Sequence, residues 1–168
     1  MTQQAREVLI VGLRNAHAVE SQAMELLERQ ASALDDYPQI QSRVQRHLGE
    51  TEQQMERLEQ ALESLNEDAS VVKDTALSAL GNFMALANTM ADDAILKNSF
   101  AGYSFEHYEI AAYESLIELA RLAGAREIVP LLEESLREEE AMAEFLRSSL
   151  SEVTQEYVER RQRKDRAA

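Results

Sequence analysis

Phe105-Glu106-His107-Tyr108-Glu109-Ile110-Ala111-Ala112-Tyr113 is the stretch on which the reading of this chain turns. Wound as a helix, it sets Glu109 within an otherwise apolar stripe of Gly102, Phe105, Ala112, Leu116 and Leu119. Glu106 stands one turn earlier, close enough to share a ligand with Glu109. A carboxylate facing a helix-bundle core is costly unless positive charge compensates it. A metal ion supplies that charge, and the rest of the chain offers further carboxylates to hold one.

Composition agrees with a helical, single-domain protein. Two prolines and five glycines in 168 residues, with abundant Ala, Leu, Glu, Gln and Arg, favour helix almost throughout. A chain of this length buries roughly two-thirds of its unfolded surface and needs no disulfide staple. The absence of cysteine excludes thiolate metal sites, iron–sulfur clusters and cysteine nucleophiles. A formal charge of −14 disfavours duplex nucleic acid as a partner, because phosphates are repelled. The first residues lack the apolar core of a signal peptide, and no apolar run is long enough to span a membrane. A cytoplasmic protein is the expectation.

Working outward from the central stretch, the spacing predicts five helices. The first runs from a Thr2 cap to about Leu34, with Leu9, Leu13, Ala16, Ala23 and Leu27 buried and Glu20 inside the same stripe. Pro38 suits the first position of a second helix, extending to about Leu65, with His47 and Glu50 one turn apart on its flank. Asn66 to Ser70 read as a break before a shorter helix, about Val71 to Met90. Asp92 or Asp93 can cap the fourth, about Ala94 to Ala123, which ends at Gly124. The fifth runs from about Arg126 to near Arg160, with Ile128, Leu131, Met142 and Phe145 on its core face and Glu138 beside them. Residues 1–160 form one domain, and 161–168 read as a basic, disordered tail.

The two long hairpins repeat one arrangement. Glu20 precedes the first turn by about as many residues as Glu50 follows it, and Glu109 and Glu138 flank the second turn alike. In antiparallel pairs such residues share a height, about 22 Å from the turn at 1.5 Å per residue. Glu20 aligns with Glu109 and Glu50 with Glu138, at offsets of 89 and 88 residues. If all four share one layer, the second helix ends opposite the start of the fourth. The short helix between them, roughly 30 Å long, then serves as a crossover. Bundles with one long crossover and inward carboxylates are the architecture of di-iron and di-manganese proteins. Oxygen ligands suit iron(II) and manganese.

Three segments carry a family resemblance: Glu106 to Tyr113; His47-Leu48-Gly49-Glu50-Thr51-Glu52 with Gln54 and Glu56-Arg57-Leu58; and Leu131 to Glu140. Together they resemble the YciE/YciF family of ferritin-like proteins over about residues 6 to 150. The resemblance implies an all-α, ferritin-like four-helix bundle of two antiparallel hairpins joined by a crossover containing a fifth, shorter helix. It also implies a dinuclear metal site, a homodimer and a role in bacterial stress responses, without a settled activity. The Glu-x-x-His order of di-iron ferritins is reversed here, since His47 precedes Glu50 and Glu106 precedes Glu109.

The expected metal ligands are Glu20, His47, Glu50, Glu106, Glu109 and Glu138, holding two iron ions, with manganese as the alternative. Each has a plainer reading as a solvated flank. His17 reads as a polar residue lining the bundle, His107 as a surface or supporting imidazole, and Tyr113 as core packing. Glu52, Glu139 and Glu140 read as exposed charges. Two classes of function stay open. One is a ferroxidase-like or peroxide-handling oxidoreductase. The other is a non-catalytic, dimeric helical stress or interaction module with a structural or vestigial site.

Overall fold

Four long helices make up most of the described residues, 3–68 and 93–167, in the computed structural model of the chain. They are α1 (Gln3–Ser32), α2 (Pro38–Ser64), α3 (Ala94–Ala123) and α4 (Val129–Ala167), the last preceded by a 3-10 turn over Arg126–Ile128. No strand occurs among the described residues. Thr2 and the crossover helix expected over about Val71 to Met90 lie outside them.

The helix ends follow local chemistry. Pro38 occupies the first turn of α2, where its missing N–H costs nothing. Asn66 adopts φ 58° just after α2, and Gly124 φ 74° after α3. At each the chain turns back: Glu67 N–H donates to Leu62 O at 3.0 Å, and Ala125 N–H to Ala120 O at 2.9 Å. Both are Schellman endings, with Asn and Gly filling the left-handed position that these residues tolerate best. Asp93 precedes α3 without a side-chain cap bond and instead pairs with Lys97 at 2.9 Å.

Cross-helix contacts fix the directions. His17 meets Glu59 and Arg14 meets Glu67, so α1 and α2 are antiparallel. Arg121 meets Glu133 while a Cβ on Gly102 would lie 3.4 Å from Leu146, so α3 and α4 are antiparallel too. Tyr113 bonds Glu20, Phe105 packs with Val19 and Ala23, and Gly12 lies against Leu116, which runs α3 antiparallel to α1. Gly12 has a use here, because a Cβ would come within 2.7 Å of Leu116 Cδ2. The diagonal pair α2 and α3 is therefore parallel. The end of α2 (Leu65, beside Arg6) and the start of α3 (Ile95, packed with the Leu34–Tyr37 cluster) lie at opposite ends of the bundle.

Two apolar clusters fill those ends. Leu9, Leu13, Leu58, Leu62, Ile117 and Leu132 belong to one, and Leu27, Leu34, Val44, Met142 and Leu146 to the other. A layer of polar and charged side chains is buried between them.

Two expectations about α4 are corrected. The helix does not stop near Arg160 but continues to Ala167, through the stretch read as a disordered tail. Residues 151–167 contain neither Gly nor Pro, and Glu156–Arg160 and Glu159–Arg163 pair at i,i+4 spacing. Arg160 also reaches the α1–α2 turn, 2.8 Å from Asp36 and 5.1 Å from the centre of the Tyr37 ring. The core face of α4 is shifted by one residue as well: Leu132, Ser135, Glu139, Met142 and Leu146 are buried, whereas Leu131, Glu138 and Phe145 flank them.

Candidate metal centre

Every helix contributes to the buried polar layer. Glu20 comes from α1, His47, Thr51 and Gln54 from α2, Glu106 and Glu109 from α3, and Ser135 and Glu139 from α4. The four carboxylates and the imidazole are only 0–3% exposed. Each replaces an apolar residue in its helix's core stripe: Ala16-Glu20-Ala23 in α1, and Leu132-Ser135-Glu139-Met142 in α4. The apolar residues above and below bury them whether or not their charge is compensated.

His47 is the pivot of the layer. It was expected on the flank of α2, but it faces inward. Its Nδ1 lies 2.9 Å from Glu50 Oε2, and Arg43 Nη1 holds the same oxygen at 2.9 Å. Its Nε2 lies 3.2 Å from Glu106 Oε2 and 3.7 Å from Glu139 Oε2. Donor atoms of His47, Glu106 and Glu139 all fall within 4.8 Å of one another. An Nδ1–H bond to a carboxylate with Nε2 directed into a cluster of oxygen donors is how histidine is oriented for metal binding.

The carboxylates crowd each other on the other side. Tyr113, expected as core packing, is buried but also donates a hydrogen bond of 2.6 Å to Glu20 Oε1. Burial pushes the Glu20 carboxyl up to about 7, against the opposing effects of the Tyr113 hydrogen bond and His47. Burial, then the neighbouring charges of Glu20, Glu139 and Glu106, hold Glu109 well above the carboxylate range. Burial and Glu106 do the same to Glu139. Burial disfavours the His47 imidazolium, but Glu106, Glu50 and Glu139 outweigh it and hold the imidazole well above its ordinary value. The hydrogen bond from His47, aided by Arg43, brings Glu50 down to about 2.

This layer fits a metal ion. Glu20 Oε2, Glu109 Oε1 and Glu139 Oε2 are buried oxygens without a hydrogen-bond partner, and Glu106 Oε2 faces only the His47 imidazole, at 3.2 Å. Buried polar atoms normally have a hydrogen-bond partner. Four buried carboxylates, three of them with an unpartnered oxygen, around one imidazole nitrogen form a hard, oxygen-rich donor set suited to iron(II) or manganese.

The expected site residues are distributed as follows. Glu20, His47, Glu106 and Glu109 enter the layer. Glu50 stands at its edge between Arg43 and His47. Glu138 also stands at the edge, where Arg57 binds it with both terminal nitrogens at 2.7 and 2.9 Å and Gln54 donates at 3.0 Å. Glu139, expected as an exposed charge, is fully buried and accepts from Gln54. Its signal was present in the repeat: Glu50 and Glu139 are separated by the same 89 residues as Glu20 and Glu109. His107 is exposed and packs edge-on to Tyr103, while His17 pairs with Glu59 at 3.0 Å away from the layer. Glu52 and Glu140 are exposed.

Residues 4–159 match the family described as a domain of unknown function, DUF892. Protein YciF of Escherichia coli K12 is 32% identical over 142 residues, covering 80% of this chain and 83% of that protein. Among solved structures, the E. coli stress protein YciF aligns with TM-score 0.80 and 27% identity, over 92% of this chain and 99% of its own. A Xanthomonas campestris protein aligns with TM-score 0.78 and 31% identity, over 94% of this chain and 99% of its own. Among the described residues, no helix is long and apolar enough to cross a membrane.

Proposed function

The chain belongs to the DUF892 family, the family of YciF, and on that footing we propose that it is a ferritin-like protein with a dinuclear metal site in its bundle core. The observation that carries this reading is the set of four buried carboxylates around the His47 imidazole, three of them with an unpartnered oxygen and the fourth, Glu106, facing His47 alone. His47, Glu106 and Glu139 form one donor group, and Glu109 and Glu20 extend it for a second ion. Glu50, expected as a ligand, acts in this reading through His47, fixing its tautomer and aim. Glu138 holds Arg57 and Gln54, and Gln54 in turn fixes Glu139. Iron is the favoured metal and manganese the alternative, because four carboxylates and one imidazole balance two divalent charges with hard donors. Bound there, such ions supply Lewis acidity and one-electron chemistry toward dioxygen or peroxide. The protein's part is to hold the donors and to exclude bulk water. A role in stress response is inferred from the similarity to the E. coli stress protein YciF.

The test is metal analysis of the purified chain and of Glu109→Ala. About two ions per chain, lost in the variant with the helical fold intact, supports the reading. Unchanged stoichiometry in the variant sinks the ligand assignment.

The second reading, a homodimeric interaction module, draws on a different feature. Val8, Val11 and Tyr108 are 42–56% exposed along the α1–α3 face. A copy of the chain covering that face would make the dimer that the family resemblance implies. The sequence also offers Met84 and Leu86 on the expected crossover helix as part of a dimer face, and both lie outside the described residues. Sedimentation of wild type and Val11→Glu decides whether this strip holds a dimer together.

A further inference from the structure

A cavity of about 120 Å³ lies between the carboxylate layer and the α1–α2 turn. His47, Glu106 and Glu109 form its inner end. The remaining walls are mostly apolar, with Leu27, Val44, Phe105, Met142 and Leu146 prominent. Two polar atoms on its lining residues, Gln30 Nε2 and Asn98 Oδ1, are buried without a partner. Protein interiors pack densely and rarely leave such a space between large aliphatic side chains. Here the space is bounded by the very groups assigned to the metal.

From this arrangement we infer that the cavity is a binding compartment for a small uncharged molecule, apolar over most of its surface, seated against the metal-facing carboxylates. The identity of what the molecule meets at the inner end rests on the dinuclear reading above. Ions are the wrong occupants. A charged group would shed its water against mostly apolar walls that offer only the neutral amides of Gln30 and Asn98 and no opposite charge. Glu20, Glu106, Glu109 and Glu139 also balance two divalent ions, so the loaded site exerts no net pull on an anion. Size limits the guest as well, since an apolar cavity of about 150 Å³ holds benzene or xenon. The compartment therefore takes molecules of that size or smaller, dioxygen being the least. Gln30 and Asn98 offer a donor and an acceptor to a guest that carries one polar group.

Gly102 and Ala23 line the cavity from α3 and α1, so either can be enlarged to narrow it. A Cβ on Gly102 meets Leu146 at 3.4 Å, an ordinary contact, and a non-glycine residue favours the helix. The experiment titrates benzene into the metal-free full-length chain and follows the methyl resonances of Met142 and Leu146. Saturable binding is expected, weakened at least tenfold in Gly102→Val and in Ala23→Leu, with helicity and iron(II) stoichiometry unchanged. Each variant stands in for the other if one does not fold. No saturable shift in wild type, or undiminished binding in the folded variants, overturns the inference even where two metal ions are bound. Benzene binding in a wild-type chain that takes up no metal is a separate failure. It removes the dinuclear reading, and with it the assignment of the compartment to a metal-facing guest.

Discussion

His47 Nδ1 lies 2.9 Å from Glu50 Oε2, and that one contact turns the opposite ring nitrogen toward Glu106 and Glu139. In the proposed metal centre, Glu50, expected as a ligand, instead aims one. If so, Glu50→Gln retains the metal but binds it about 10–100-fold more weakly, the usual cost of losing a partner that orients a histidine ligand. Glu139→Gln, by contrast, removes a ligand and lowers stoichiometry. Competition titrations against a chelator separate the two, and equal losses in both variants would contradict the assigned roles.

Removing a buried charge should stabilise the metal-free protein. In Glu139→Gln the amide oxygen still accepts from Gln54, while the group that burial and Glu106 hold well above its ordinary range is gone. The expected gain is on the order of 1–3 kcal/mol well above the unfolded value of 4.5, where ionisation of this carboxyl favours the unfolded chain. That corresponds to about 2–4 °C in Tm per kcal/mol for a chain of this size. Thermal melts of both proteins at about pH 9 check it, and near pH 5 the difference should vanish.

The pH dependence of the metal-free protein follows from the directions of the shifts. Glu20 is raised to about 7 and Glu109 and Glu139 are raised further, so their contribution to stability is fully present below the unfolded value of 4.5. It is lost as pH rises through about 7 and beyond. His47, also raised, contributes below 6.5 and loses its contribution as pH climbs through its folded value. Glu50, lowered to about 2, works in the other sense: its contribution is present above 4.5 and lost as pH falls toward 2. Melts across pH should therefore peak on the mildly acidic side without metal. Saturating metal should hold stability up above pH 7, since only the deprotonated carboxylates bind it. A flat profile for the metal-free chain would be inconsistent with the buried layer.

Tyr113 ties α3 to α1 through Glu20. Tyr113→Phe leaves that carboxyl with no donor, at a cost of about 1–3 kcal/mol. Because the lost bond favoured the ionised form, Glu20 should titrate higher and metal should bind only at higher pH. The midpoint of metal uptake against pH reports the change, and a midpoint that stays put would contradict it.

Much of this was legible in the chain itself. The four glutamate-bearing helices, the Gly124 ending and the opposed ends of α2 and α3 all follow from spacing and turn chemistry. Register within α4 was not. Measured from Ile128, Ser135 and Met142, the helical repeat allows either Leu131, Glu138 and Phe145 or Leu132, Glu139 and Leu146 on the core face. Each choice pairs an apolar residue with an apolar one and a glutamate with a glutamate. Periodicity has no preference between such twins. Packing against Val44 and Leu27 and the Gln54 and Arg57 side chains decide it, burying Glu139 and leaving Glu138 to Arg57. His47 was displaced to the flank for a similar reason, because a histidine counts as polar in any hydrophobic stripe. Its burial depends on partners from two other helices, Glu106 and Glu139.

Two metal ions held by the buried carboxylates are what the proposed function requires. Anaerobic iron(II) titration of the metal-free chain, with elemental analysis of the product, measures this. Saturation at about two ions per chain, reduced in Glu109→Gln and Glu139→Gln, is the predicted result. Failure to retain any iron or manganese at neutral pH, with the helical fold intact, would contradict it.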